Sequence, residues 1–143
     1  LAYITVLKCS RDMVIDISIP EDLKLVTDSE YFYLIIQSLM FNLIRYSTTP
    51  VTIEISHHNG NNNNIFSIKN RSMVISQEII PNLFKPFYVG KESKLLEKSG
   101  FIGLSLPVAK QMSEKLNGDI TVTSQPETGT TFTLVLPKVN LSD

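Results

Sequence analysis

Cysteine is nearly missing from this chain: Cys9 stands alone among 143 residues. A lone thiol excludes an internal disulfide framework and a cysteine-based zinc site, and it fits a reducing compartment. Charge of one sign is missing as well, because thirteen Lys and Arg oppose fourteen Asp and Glu for a formal net charge of -1. No overall field draws the chain to nucleic acid or to an anionic membrane, so neither is an expected partner. No apolar run is long enough to read as a bilayer span, and none reads as a secretory signal peptide. What remains is 43% hydrophobic and 19% charged, the composition of a globular domain with enough chain for one sizeable core. We expect a single domain over 1–143. The chain begins at Leu1 rather than Met, so we expect a fragment of a longer, cytoplasmically acting protein, with any membrane anchor or partner domain outside it.

Hydrophobic periodicity supplies the elements. "MVIDISIP" (13–20) alternates and stops at Pro20, as a half-buried strand does. "SEYFYLIIQSLMFNLIRYS" (29–47) places Phe32, Ile35, Ile36, Leu39 and Leu43 at helical spacing, with Asp28 or Ser29 available as N-cap. Segments 51–58 and 64–70 alternate on either side of the polar "NGNNNN" and predict a hairpin. "SQEIIPNLFKPF" predicts a short helix ending near Pro86, and the polar stretch 88–99 is expected to be a mobile loop. A second helix follows over 103–116, ended by Asn117 and Gly118, and a last hairpin turns at 127–129. Hairpins with helices between them predict an α+β two-layer sandwich, a mainly antiparallel mixed sheet with helices on one face.

Four blocks of residues carry a family resemblance, in order, across most of 13–137. "SLMFNLIRYS" after Asp28 resembles N-L-L-x-N-A-x-K-[FY]-[ST]. "IKNRSMVISQEIIPNLFKPF" resembles V-x-D-x-G-x-G-I followed by I-F-x-x-F. "GFIGLSLPVAK" resembles G-G-T-G-L-G-L-A-I-V-K, and "GDITVTSQPETGTTFTLVLP" is similar to a closing hairpin with G-T-x-F. Together they resemble the ATP-binding domain of sensor histidine kinases, within the wider family that includes DNA gyrase, MutL and the large heat-shock chaperones.

The resemblance implies a role for each matching position. Asn42 falls where the family coordinates a magnesium ion bridging the nucleotide phosphates, since a hard cation takes oxygen ligands. Ser38 stands one turn earlier, in place of the motif's first Asn, with a shorter reach. Taken alone, an Asn on a helix is more commonly a solvated surface residue. Asn70 replaces the aspartate that accepts a hydrogen bond from the adenine amino group, so the charge-assisted bond is gone. Ser72 and Val74 fill the two following glycine positions, where a Cβ limits the backbone's approach to adenine and Val adds a stiff, branched side chain. Gly100 and Gly103 remain in the phosphate loop, but Phe101 and Ser105 take glycine positions and Ile102 that of a small polar residue. Pro107 then falls in the first helical turn, where a missing N–H costs little. Lys91 matches a lid lysine that meets phosphate, or is solvated in a polar loop. Thr130 matches a hydroxyl that helps to hold adenine, or serves strand propensity.

Among the remaining candidates, His57 and His58 are adjacent in a strand and point to opposite faces, which makes them poor co-ligands. Phe84 and Phe87 read as core anchors, and Tyr31, Phe32 and Tyr33 as packing. The expectation is a degenerate histidine-kinase ATP-binding domain whose hold on ATP and Mg is weak or lost. Its partners are then a helical dimerisation and phosphoacceptor domain of the same protein and a response regulator or receiver domain. The alternative is a working domain that passes the γ-phosphate to a histidine on that adjacent domain. Because the family dimerises through the helical hairpin, the fragment alone is expected to be monomeric.

Overall fold

Period-two and period-3.6 patterning sort the chain into strands and helices. The structure, a computed structural model, describes residues 13–45, 51–85 and 105–139. In chain order these are β1 (Met13–Ser18), α1 (Ser29–Arg45), β2 (Val51–Asn59), β3 (Asn63–Asn70), a 3₁₀ turn (Ile80–Asn82), α2 (Ser105–Lys115), β4 (Asp119–Gln125) and β5 (Gly129–Pro137). The strands form one five-stranded sheet in the order β1-β2-β3-β5-β4.

Three pairings are antiparallel, and β1 alone runs parallel to its neighbour β2. A parallel pair needs a crossover rather than a tight turn, and α1 is that crossover. Both helices pack on the same face of the sheet. Ile35, Leu39 and Leu43, at helical spacing on α1, are fully buried against Ile53, Ile68, Ile120, Phe132 and Leu134 from the strands. Each such side chain contributes roughly 1.5–3 kcal/mol by leaving water. None of the described helices is long and apolar enough to cross a membrane.

The ends of the helices follow from single residues. Asp28 is the N-cap of α1: its Oδ1 accepts a hydrogen bond from the Tyr31 N–H at 3.0 Å. Helix α2 closes with Asn117 at φ 60, while the Gly118 N–H reaches back to Ser113 O and the Asn117 N–H to Glu114 O. That is the Schellman arrangement, with Asn rather than Gly in the left-handed position. Gly118 is required for a different reason, because a β-carbon there would collide with the backbone carbonyl of Val135.

The helix expected over "SQEIIPNLFKPF" is absent from its described part, which holds only the 3₁₀ turn. Pro81 has no N–H to donate, so the bonds there span three residues, as from Asn82 N to Ile79 O and from Leu83 N to Ile80 O. Phe84 is nonetheless anchored in the core, with its ring edge-on to Phe132 at 6.4 Å. Phe87 lies outside the described residues, as does the expected loop over 88–99.

Candidate functional site

The C-terminal end of β3 meets the last turn of α1, and the joint is made by one side chain. Asn70 is fully buried. Its Nδ2 donates to Leu43 O at 2.7 Å, and its Oδ1 accepts from the Ser72 N–H at 2.8 Å. The two partners set the orientation of the amide, since exchanging O and N would set acceptor against acceptor and donor against donor. Asn70 therefore ties the end of a helix to a strand and closes an Asx turn over Ser72.

Beside it, a chain of hydroxyls crosses between β4 and β5. Register places Thr130 opposite both Asn70 and Ser124. Thr130 Oγ1 donates to Met73 O at 2.7 Å and lies 2.8 Å from Ser124 Oγ, which accepts from the Ile75 N–H at 2.8 Å. Each hydroxyl has one proton, so the direction is settled: Thr130 gives its proton to Met73, and Ser124 gives its own to Thr130. Both residues are buried. Their chain holds the segment 73–75 against the sheet, assisted by Gln77 Nε2 donating to Ser124 O at 2.7 Å.

Asn42 precedes the Leu43 carbonyl that Asn70 grips, and it is only 4% exposed. Its carboxamide makes no hydrogen bond to any described residue. A buried amide without a partner is costly. An unpaired amide oxygen is a suitable donor to a hard cation, so Asn42 fits the position of a magnesium ligand. Ser38, one turn earlier, is half-buried. The Asn70 amide, by contrast, is neutral and bonded at both ends, to Leu43 O and to the Ser72 N–H. Val74, at a glycine position of the motif, is 49% exposed between the buried Met73 and Ile75. Lys91, Gly100 and Gly103 lie outside the described residues, as do Phe101 and Ile102.

On the far side of α2, Lys110 gathers several partners. Its Nζ donates to Asp119 Oδ1 and to Ile120 O, the latter at 2.8 Å, and lies 5.2 Å from the centre of the Phe84 ring. The hydrogen bond from Lys110 holds the Asp119 carboxyl below the usual carboxylate range; burial opposes this shift and the ammonium charge adds to it. A carboxyl depressed in the folded state stabilises above its unfolded value of about 3.9, and the contribution is lost as pH falls through the folded value. The stability gap between wild type and Lys110→Met should accordingly narrow between about pH 5 and pH 2 in urea unfolding curves. A gap independent of pH would refute the assignment.

With this geometry in view, comparison with known proteins decides the family. The sequence model for the histidine kinase-, DNA gyrase B- and HSP90-like ATPases matches residues 27–140. The chain belongs to this family. Within it, the chain is a histidine-kinase ATP-binding domain of two-component sensors. It is 32% identical over 130 residues to the sensor histidine kinase YkoH of Bacillus subtilis, covering 91% of this chain and 28% of that protein. It is 30% identical over 132 residues to the sensor protein KdpD of Clostridium acetobutylicum, covering 92% of this chain and 15% of that one. The chain thus spans well under a third of the length of these two relatives. Among solved structures, a mycobacterial sensor histidine kinase, MprB, superposes with a TM-score of 0.80 at 16% identity, over 98% of this chain and 93% of that one. The catalytic domain of histidine kinase ThkA in a nucleotide-free form gives 0.79 at 20% identity, over 96% and 90%.

The histidine-kinase domain brings Asn42, Asn70, Ser72 and Thr130 to the joint between α1, β3 and β5. Two participants escaped the sequence reading. Ser124 is one, although Ile120, Val122 and Ser124 alternate in phase and place it on the inward face. The other is the Leu43 carbonyl, a backbone group with no side-chain signature. The histidines diverge as strand geometry requires, His57 half-buried and His58 exposed.

Proposed function

We propose that this ATP-binding domain has a weak or lost hold on ATP and serves its sensor protein as a regulatory module that contacts other domains. One observation carries the proposal: the residue at the adenine-recognition position, Asn70, is neutral, fully buried and spends its amide on Leu43 O and the Ser72 N–H. An adenine amino group would meet a neutral amide oxygen that already accepts from the Ser72 N–H, in place of the charge-assisted acceptor a carboxylate offers. The sequence adds Ser72 and Val74 where glycine would admit the base, and Phe101 and Ser105 where glycine would free the phosphate loop. The partners are the helical dimerisation and phosphoacceptor domain of the same protein and a response regulator or receiver domain. The setting is cytoplasmic, with no nucleic-acid partner and no direct membrane contact by this domain.

The buried Asn42, whose carboxamide has no partner among the described residues, favours a second reading, in which the domain still transfers the γ-phosphate to a histidine on the adjacent domain. Asn42 would hold magnesium, with Ser38 behind it, and Lys91, Gly100, Gly103 and Thr130 would hold the nucleotide. Magnesium, when bound, supplies the charge neutralisation on which phosphoryl transfer depends. Calorimetric titration with magnesium and a non-hydrolysable ATP analogue separates the two. The first reading expects no saturable heat at about 1 mM nucleotide. Binding with a Kd on the order of 1 μM that is abolished by Asn42→Ala would overturn it and establish the second.

A further inference from the structure

The other end of β3 carries a second set of polar groups. Asn64 pairs with Leu136, whereas Asn70 pairs with Thr130, so the two amides sit six residues apart along the strand, about 20 Å. Around Asn64 the loop between β1 and α1, the end of the β2–β3 hairpin and the residues after β5 border an open cleft of about 520 Å³. That volume falls within the range of small-molecule sites.

The lining has a definite chemistry. Asn64 is 8% exposed, and its Oδ1 lies 2.9 Å from His57 Nε2. With the His57 Nε2–H donating to Oδ1, the Nδ2 of the same amide has no hydrogen-bond partner among the described residues, and Asn64 lines the cleft. A buried N–H donor left open is expensive unless something accepts from it. Lys24 and Lys138 also line the cleft, against one aspartate, Asp22. None of these three makes an ion pair among the described residues; Lys138 gives one of its three protons to Gly60 O at 2.7 Å. The remaining wall is aliphatic: Leu23 is half-buried, while Val26 and Val139 are 44% and 55% exposed.

We propose that this cleft is a second ligand site, separate from the nucleotide end of the sheet, that binds a small carboxylate with an apolar body. The carboxylate accepts from Asn64 Nδ2 and from the two ammonium groups, and the apolar part lies on Leu23, Val26 and Val139. Charge selects the class: two lysines and one aspartate leave a single positive charge, which one carboxylate neutralises and a phosphate dianion would exceed. A neutral alcohol of the same shape can accept from the Asn64 donor but brings no charge to the two ammonium groups.

Two-dimensional amide NMR of the full chain tests the proposal, with benzoate as the probe and benzyl alcohol as its neutral counterpart. Benzoate should give saturable shifts of the Asn64 side-chain amide and the Lys24 backbone amide, with a Kd on the order of 1 mM, and benzyl alcohol should bind about tenfold more weakly or not at all. Lys24→Met, a change at an exposed position, should weaken benzoate about tenfold, and Asn64→Asp should abolish its binding. Asn42→Ala, at the opposite end, should leave it unchanged. Equal shifts with benzyl alcohol would reduce the site to an apolar hole, and either that result or silence with benzoate overturns the proposal.

Discussion

Asn70→Asp should lower the stability of the ligand-free domain by about 2–4 kcal/mol near neutral pH, read from urea unfolding. The substitution keeps the shape and the acceptor for the Ser72 N–H, but turns the donor that serves Leu43 O into a second oxygen. Two acceptors then face each other at a fully buried position, and a charge is buried with them. Burial raises the pKa of such a carboxyl, so the folded state binds a proton that the unfolded state has lost. The deficit should widen as pH rises above about 4 and shrink below it, where the protonated acid again donates to Leu43. A deficit independent of pH would show that Asn70 does not hold the helix end through its amide.

The same change gives a test of the nucleotide site when combined with Ser72→Gly and Val74→Gly. The triple variant restores the family's acceptor and backbone freedom, and an adenine amino group could satisfy the carboxylate that Leu43 cannot. If the pocket is otherwise intact, Mg-ATP should raise the melting temperature of the triple variant and leave that of the wild type unmoved. No response in the triple variant would point to Phe101 or to the segment 88–99 as the block.

Gly129→Ala should cost about 3–5 kcal/mol, a large part of the stability of a domain this size. Gly129 opens β5 at φ +83, in the left-handed region where an L side chain is strained by roughly 1–2 kcal/mol. A β-carbon there would also collide with the backbone carbonyl of Asn70 and with Cα of Arg71, which cannot yield as a flexible side chain does. The collision displaces the Asn70 turn itself, so the helix-to-strand joint loosens with the hairpin. Gly60→Ala has no positive φ to strain and should cost clearly less. Thermal unfolding followed by circular dichroism compares the two, and a Gly129→Ala midpoint within about 2 °C of wild type would contradict the argument.

Particular elements show what could be read before any coordinates. The helical spacing of Ile35, Leu39 and Leu43 found both α1 and its buried face, because amphipathic period is a property of neighbours in sequence. In the described part of the helix expected to end near Pro86, residues 76–85, a 3₁₀ turn forms at Pro81, a constraint visible in the sequence but outweighed there by the apolar pattern. The parallel pairing of β1 was not legible, since alternation is the same in either direction and only the α1 crossover decides it. Motif matching pointed to Asn42, Asn70, Ser72 and Thr130 as one constellation, but not to what each side chain already holds.

The sequence by itself carried the family resemblance, the order of the five strands and two long helices, and the identities of Asn70, Ser72 and Val74 at the motif positions. These are carried by residue identity and by spacings of two to four residues. Only the tertiary structure decided that Asn70 bonds Leu43, that Thr130 donates to Met73 and accepts from Ser124, and that Asn42 and Asn64 are buried with amide atoms that have no partner among the described residues. Those bonds join residues 27 and 57 positions apart, and sheet register and helix docking, not local pattern, bring such distant groups within 3 Å of each other.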